Sequence, residues 1–248
     1  MENDELSLIE SELSSPLDQV DSADVANIPP PDPERMLELL ESDVASEKML
    51  AARAFCELED QRSIPLLIKL LDDVCPLVRV STTYALGRNT DATAVEPLIQ
   101  LLARDFNGYV RKGIVWALGN SKDRRALKPL IHALKTDLSA VRLWAASGLA
   151  QIGTLDYDDI IAAIPPLIQG LRRDRTSAVR SNCAWSIVQL CRELPSNVVY
   201  ATAIDALIES LVEDEDFGVK DDARSAILKV GDPRGLQMIE ELEFEGLI

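Results

Sequence analysis

The stretch "PLIHALKTDLSAVRLWAASGLAQIG", residues 129–153, contains an apolar helix start, an Asp, a Val-Arg pair and then a run of small residues. Its first part repeats apolar residues at helical spacing, and its second part does the same with Ala, Gly and Leu. Twenty-five residues are enough for two helices and a short turn. The stretch therefore predicts a helical hairpin.

The same order of features recurs along the chain. Apolar starts of this kind lie at 66–71, 97–102, 129–134, 166–171 and 206–211. Each is followed by a basic residue: Arg79, Arg111, Arg142, Arg180 and Lys220. An Asp stands five or six residues before each: Asp73, Asp105, Asp137, Asp174 and Asp214. A degenerate first copy contains Asp43 and Lys48. From Lys48 to Lys220, successive basic residues of the repeats are separated by 31, 32, 31, 38 and 40 residues.

A repeat of this length predicts an all-α, right-handed α-solenoid of about six helical hairpins, because one hairpin cannot bury its apolar face alone. We expect the solenoid to span 31–234, with a capping segment at 235–248. Insertions at 154–164 and 192–204 lengthen a first helix or the loop before it. Prolines are expected near helix starts, and glycines as left-handed caps of second helices. These residues are Pro97, Pro129, Pro166, Gly87, Gly119, Gly153 and Gly231.

Residues 1–30 differ in composition from the repeats. Residues 1–33 hold nine Asp or Glu and no Lys or Arg, which predicts an acidic, mobile tail for 1–30. Within it, "ELSLIESEL" at 5–13 has the spacing of a short amphipathic helix that folds on a partner.

The repeat pattern resembles the HEAT repeats, in the short form found in phycobilisome lyase and related proteins. Their signature of PLIxxL, Asp, VR and AAxALGxIG is matched closely at 129–153, and the resemblance covers about 34–234. It implies that the second helix of each hairpin lines a concave surface. It also implies a scaffold role, similar to that of cyanobacterial HEAT proteins that bind the A-type iron-sulfur carrier protein.

Charge is distributed unevenly along the chain. The formal net charge is -17, and residues 209–248 contribute twelve acidic against four basic residues. Acidic ends and a neutral middle argue against general affinity for nucleic acid or anionic membrane. No run approaches the roughly 18 apolar residues of a membrane span. We therefore expect a soluble cytoplasmic protein, peripheral at most to thylakoid-associated complexes.

Helical geometry selects the candidate binding residues. When the basic residue of each repeat is position 2, positions 7 and 11 point away from the apolar positions 5, 8, 9 and 12 at about 100° per residue. Position 4 lies on one flank of the same side. The three positions supply nine candidate partner-binding residues: Tyr84, Arg88, Trp116, Asn120, Trp144, Gln151, Asn182, Trp185 and Gln189. Exposed aromatics bordered by hydrogen-bonding groups are typical anchors of protein interfaces.

Other polar features point to structure. The regular Asp and Arg series fits a ladder between stacked repeats. The basic runs at 122–128 and 172–175 are typical of solvated turns. His132 occupies a variable polar position of the repeat, so we expect it to face solvent. Among four cysteines, Cys75 is the thiol expected to be most exposed, while Cys183 takes a core position. No nucleophile and base pair, phosphate loop or metal cluster is evident, so we predict no catalytic, cofactor-binding or metal residue.

Two function classes follow. In the first, the chain is a non-catalytic adaptor that binds a protein on its concave face, the partner being an A-type iron-sulfur carrier protein or a phycobilisome or photosystem component. In the second, it is a subunit of a phycobilin lyase or a bilin chaperone, with a bilin in the groove beside Arg88.

Overall fold

A computed structural model describes residues 31–153 and 156–247. The predicted acidic tail and its short amphipathic helix lie outside the described residues. Thirteen α-helices run through the described ranges, with no strand among them. They are α1 Pro33–Leu40, α2 Ala45–Ala54, α3 Ser63–Leu70, α4 Pro76–Arg88, α5 Ala92–Arg104, α6 Gly108–Ser121, α7 Leu127–Thr136, α8 Ser139–Gly153, α9 Tyr157–Arg173, α10 Ser177–Cys191, α11 Val198–Glu213, α12 Phe217–Val230 and α13 Pro233–Phe244.

Consecutive helices from α1 to α12 pair into six hairpins. The second helices α2, α4, α6, α8, α10 and α12 pack side by side in one layer, and each packs on the first helix of its own hairpin. Contacts between successive first helices are sparser in the N-terminal half. The all-α repeat fold predicted from the sequence is confirmed. The two insertions lengthen first helices, because α9 and α11 have 17 and 16 residues where α7 has 10.

Small side chains allow the second helices to approach closely. The sequence prediction that Gly87 and Gly119 cap these helices is wrong, because both lie within helices and neither has a positive φ. A Cβ on Gly119 would lie 2.7 Å from the Cα of Gly148 in the next repeat. Close packing explains these glycines, whereas Gly231 does end α12 with φ 73°.

Two of the three prolines predicted to lie near helix starts, Pro97 and Pro166, lie well inside helices instead. Pro97 is the sixth residue of α5, and Pro166 follows Pro165 in the middle of α9. The helices begin earlier because Asp91 and Asp156 act as N-caps, accepting hydrogen bonds from the amides of Thr93 and Asp159. Each cap starts its helix before the apolar segment.

An ion-pair ladder joins successive repeats at the turn between the two helices of each hairpin, which confirms the structural interpretation of the Asp and Arg series. The basic residue of one repeat binds the Asp of the next. The N···O distances are 2.6–2.8 Å in the pairs Arg79–Asp105, Arg111–Asp137, Arg142–Asp174 and Arg180–Asp214, and Lys48 pairs likewise with Asp73. Each of the four arginines also donates from Nη1 to the carbonyl of its own repeat's Asp.

The ladder carboxyls are nearly buried and remain ionised. Burial opposes their ionisation, but hydrogen bonds from the paired basic side chain and from a nearby backbone amide outweigh it. The pKa of each therefore lies below the usual value for Asp. The ladder therefore stabilises the protein at neutral pH, and this contribution is lost in acid as the pH falls through the lowered pKa values of these carboxyls.

Candidate partner-binding face

The nine predicted residues lie on the second helices α4, α6, α8 and α10. We call their common surface the second-helix face. Several side chains of this face contact the neighbouring second helix. Arg88 and Gln189 are exposed, whereas the aromatic and remaining amide residues are partly buried. The face therefore presents anchored aromatic groups with two freer polar side chains.

Trp116 lies at the centre of one cluster. Its ring centre is 5.3 Å from that of Tyr84, with the planes tilted by 48°, and the guanidinium carbon of Arg88 is 5.9 Å from the ring centre. The indole also lies over Gly87, where a Cβ would come within 2.4 Å of it. A cation close to an aromatic face is attracted to the ring. These contacts hold one side of the indole and leave the rest of it partly accessible.

Trp185 forms a second cluster with the last repeat. Its indole Nε1 donates to Asp222 Oδ1 at 3.1 Å, and Lys229 Nζ stands 3.9 Å from the ring centre. The sequence analysis did not select Asp222 or Lys229. Both occupy the repeat positions, 4 and 11, that were used to select the other residues, so the same rule applied to the sixth copy would have found them.

The Asn residues of the face bond to adjacent helices. Asn120 donates from Nδ2 to the carbonyl of Gly87 at 3.2 Å. Asn182 donates to the carbonyl of Leu143 and to Ser147 Oγ, both at 2.8 Å. Asn182 Oδ1 also lies 3.2 Å from Ser147 Oγ. Because these polar atoms are already engaged, the two amides join neighbouring helices.

Trp144 and Gln151 both belong to α8. Trp144 is partly buried against the core, and Gln151 is partly buried as well. Together with Tyr84, Trp116 and Trp185, Trp144 gives each of four successive second helices one aromatic side chain on this face. All three tryptophans of the chain are among them.

Two of the four cysteine thiols are buried, and the described residues contain no cluster of metal-ligating side chains. No group of three His, Cys, Asp or Glu side chains in the described ranges is placed to hold a metal ion. Burial raises the pKa of the Cys183 thiol, and raises that of Cys191 to about 12. Cys75, expected to be the most exposed thiol, is partly buried at the start of α4.

The basic runs are partly neutralised within the protein. Arg124 pairs with Asp156 and Asp159, and Arg172 pairs with Glu209 of a later repeat. His132 is exposed, as the sequence predicts. None of the described helices has both the length and the apolar character needed to cross a bilayer.

Comparison with known proteins identifies the repeats. The profile of the family described as HEAT repeats matches residues 33–105 and 95–187, together more than half of the chain. None of the curated proteins matches the sequence.

Several solved structures share the fold. An engineered protein has 25% identity and a TM-score of 0.61, covering 81% of this chain and 98% of its own. A designed armadillo repeat protein in complex with the peptide (KR)4 has 22% identity and a TM-score of 0.61, covering 80% and 98%. A chain of the complex of CpcE and CpcF of phycocyanin lyase from Nostoc sp. PCC7120 has 20% identity and a TM-score of 0.55, covering 90% and 97%.

Proposed function

The chain belongs to the HEAT-repeat family, and from this premise we propose that it is a non-catalytic adaptor that binds a protein partner across its second-helix face. The observation that carries the proposal is the placement of Tyr84, Trp116, Trp144 and Trp185 on four successive second helices. Large aromatics held by their neighbours lose little conformational freedom on binding, which makes them efficient anchors.

The width of the face fits a large ligand. Second helices packed about 8–10 Å apart spread the four aromatics over roughly 25–30 Å. An extended segment of eight or nine residues spans that distance. The (KR)4 peptide in the structure of the designed armadillo protein shows that a solenoid of similar fold takes a peptide. A protein partner is the ligand class that best matches this extent.

Narrower partner classes also belong to this proposal. The repeat type and the acidic N-terminal segment favour an A-type iron-sulfur carrier protein or a component of the phycobilisome or photosystem as partner. Each of these proteins can be tested directly as the partner in the binding experiment below.

The double variant Trp116→Ala, Trp185→Ala tests the adaptor proposal. We expect it to lose more than about 30-fold in affinity for a partner captured by the wild-type chain, because truncating an anchor costs about 2 kcal/mol or more. The measurement is a pulldown followed by titration calorimetry with the captured protein.

Phe244→Ala is the matched control, since Phe244 is 94% exposed on α13, a helix that packs on α11 and α12 and carries none of the nine predicted residues. It should bind as the wild type does. Circular dichroism establishes that each variant is folded. Equal recovery of partners by the folded double variant and the wild type would refute the proposal.

A bilin-binding role is the second candidate function. It is favoured by the similarity to a chain of the CpcE and CpcF complex, which extends over most of both chains. The cluster of Tyr84, Arg88 and Trp116 joins an aromatic surface to a cation, as a tetrapyrrole with propionate groups would require. Under this role, mixing the protein with a bilin at micromolar concentration shifts and sharpens the bilin absorbance. A spectrum identical to that of the free bilin would remove this candidate.

A further inference from the structure

A groove lies between the first helices α5 and α7, on the side of the molecule away from the second-helix face. Its volume is about 720 Å³. Ile99, Leu102, Phe106 and Leu138 supply its apolar lining, and Lys128 and His132 lie on the α7 side. Phe106 is fully exposed, and Leu138 is 58% exposed. A groove of this size has room for two or three large apolar side chains.

The exposed apolar residues of the groove belong to a row along the hairpin turns. The residue after the Asp of the hairpin turn is apolar and exposed in each of the first four repeats: Val44, Val74, Phe106 and Leu138. In the last two repeats the same place holds Arg175 and Glu215. The turn therefore accepts a charged residue here, and its geometry does not require the apolar side chains. A row of exposed apolar side chains of this kind is typical of a surface that binds another segment or protein.

Unpaired positive charge lies at the groove, which Lys128 lines, and in an adjoining pocket between α7 and α9 that shares Thr136 and Asp137 with it. Lys128 and Lys135 on α7, Arg173 at the end of α9 and Arg175 in the next turn form no ion pair with the described residues. Arg104, by contrast, is paired with Asp72. In a chain of net charge -17, four unpaired cations therefore lie in the groove and the pocket beside it. The surface is complementary to a ligand that is both apolar and acidic.

One segment of the chain has that chemistry. Residues 1–30 contain eight acidic residues and no Lys or Arg. Within "ELSLIESEL", Leu6, Ile9 and Leu13 follow the i, i+3, i+7 spacing of one helical face, while Glu5 and Glu12 stand at its border. We propose that residues 5–13 dock as a short amphipathic helix in the α5–α7 groove of the same chain, with their leucines over Phe106 and their carboxylates toward Lys128 and Arg173.

The connecting chain is long enough for this docking. Seventeen residues separate Leu13 from Pro31, the first described residue, and they can span up to about 60 Å. The groove lies two to three repeats from α1, or roughly 20–30 Å at the usual spacing of packed helices. Tethering at this distance gives an effective concentration in the millimolar range. A segment with weak intrinsic affinity is then bound for most of the time.

Hydrogen exchange on the full-length chain, followed by mass spectrometry, tests the docking. We expect the amides of residues 5–13 to exchange about tenfold more slowly than those of 14–28, since docking protects them in proportion to the bound population. Phe106→Asp should abolish this protection without unfolding the protein, because Phe106 is fully exposed. The matched control Leu17→Asp, in the acidic segment but outside 5–13, should leave it unchanged.

Charge reversal identifies the contacts. The pair Lys128→Glu and Arg173→Glu should reduce protection to the level of 14–28, and adding Glu5→Lys and Glu12→Lys should restore it. The variant Trp116→Ala, Trp185→Ala should have no effect, so failure of the adaptor proposal and failure of this one are distinguishable. Absence of protection in the wild type, or protection that survives Phe106→Asp, would overturn the proposal. Protection that grows with protein concentration would overturn it too, by assigning the groove to a second copy of the chain.

Discussion

Replacing Arg180 by Met is expected to lower the free energy of unfolding by about 3 kcal/mol, because it leaves the carboxylate of Asp214 buried without its cation. The side chains of Arg180 and Asp214 are 8% and 7% exposed, and two N···O contacts of 2.8 Å join them. Met keeps most of the packing of the Arg stem. Urea denaturation at pH 7, where Asp214 is ionised, measures the change.

Arg172→Met provides the comparison for this result. The Arg172–Glu209 pair also joins two repeats at 2.7 Å, but its side chains are 36% and 42% exposed. Exposed pairs contribute about 0.2–1 kcal/mol, so the loss here should stay near 0.5 kcal/mol. If the two variants are destabilised equally, burial is not what gives the ladder its strength.

Gly119→Ala is expected to destabilise the protein by about 2 kcal/mol, although Ala at a helix interior position usually stabilises by roughly 0.5–1 kcal/mol. The reversal of sign follows from packing. The new methyl group would lie 2.7 Å from the Cα of Gly148, and backbone cannot move aside as a flexible side chain can. The helices α6 and α8 must separate, which weakens the layer of second helices. The midpoint of thermal or urea unfolding reports the loss.

Gly108→Ala is a suitable control for the glycine prediction. A Cβ there would meet the Cδ1 of Leu138 at 2.6 Å, but that side chain is more than half exposed and can rotate away. The stability of this variant should remain within about 0.5 kcal/mol of the parent. A stabilised Gly119→Ala protein would show that the helix contact is looser than the structure indicates.

The repeat architecture was predictable because each of its parts recurs in the sequence. Spacings of 31 and 32 between the first four basic residues indicate units of similar size, and the offset of five or six residues from Asp to the basic residue indicates a shared structural role for the two series. The ladder from Arg79–Asp105 to Arg180–Asp214 follows from that regularity. Features that repeat in register can be deduced without knowing the distances between helices.

Other features depended on distances that no sequence pattern contains. Gly119 is needed because α6 and α8 touch through their backbones, and a cap and a contact glycine look identical in sequence. Pro97 lies within α5 because Asp91 starts the helix early, which requires knowing which of several polar residues is the cap. The donor groups of Asn120 and Asn182 are occupied by carbonyls of neighbouring helices. The nine predicted contact residues thus share one face, and their role in binding remains a prediction.

The ladder also determines how the stack can deform. Its ion pairs set the separation of successive repeats at the hairpin turns, so we expect the turn edge to keep a nearly constant length when the stack bends. Elastic bending must then occur by rotation about that edge, and it spreads or closes the opposite ends of the second helices, where Arg88, Asn120 and Gln189 lie. A partner that binds at these helix ends would have to bend the stack against the resistance of the ladder. Replacing the ladder arginines should lower that resistance.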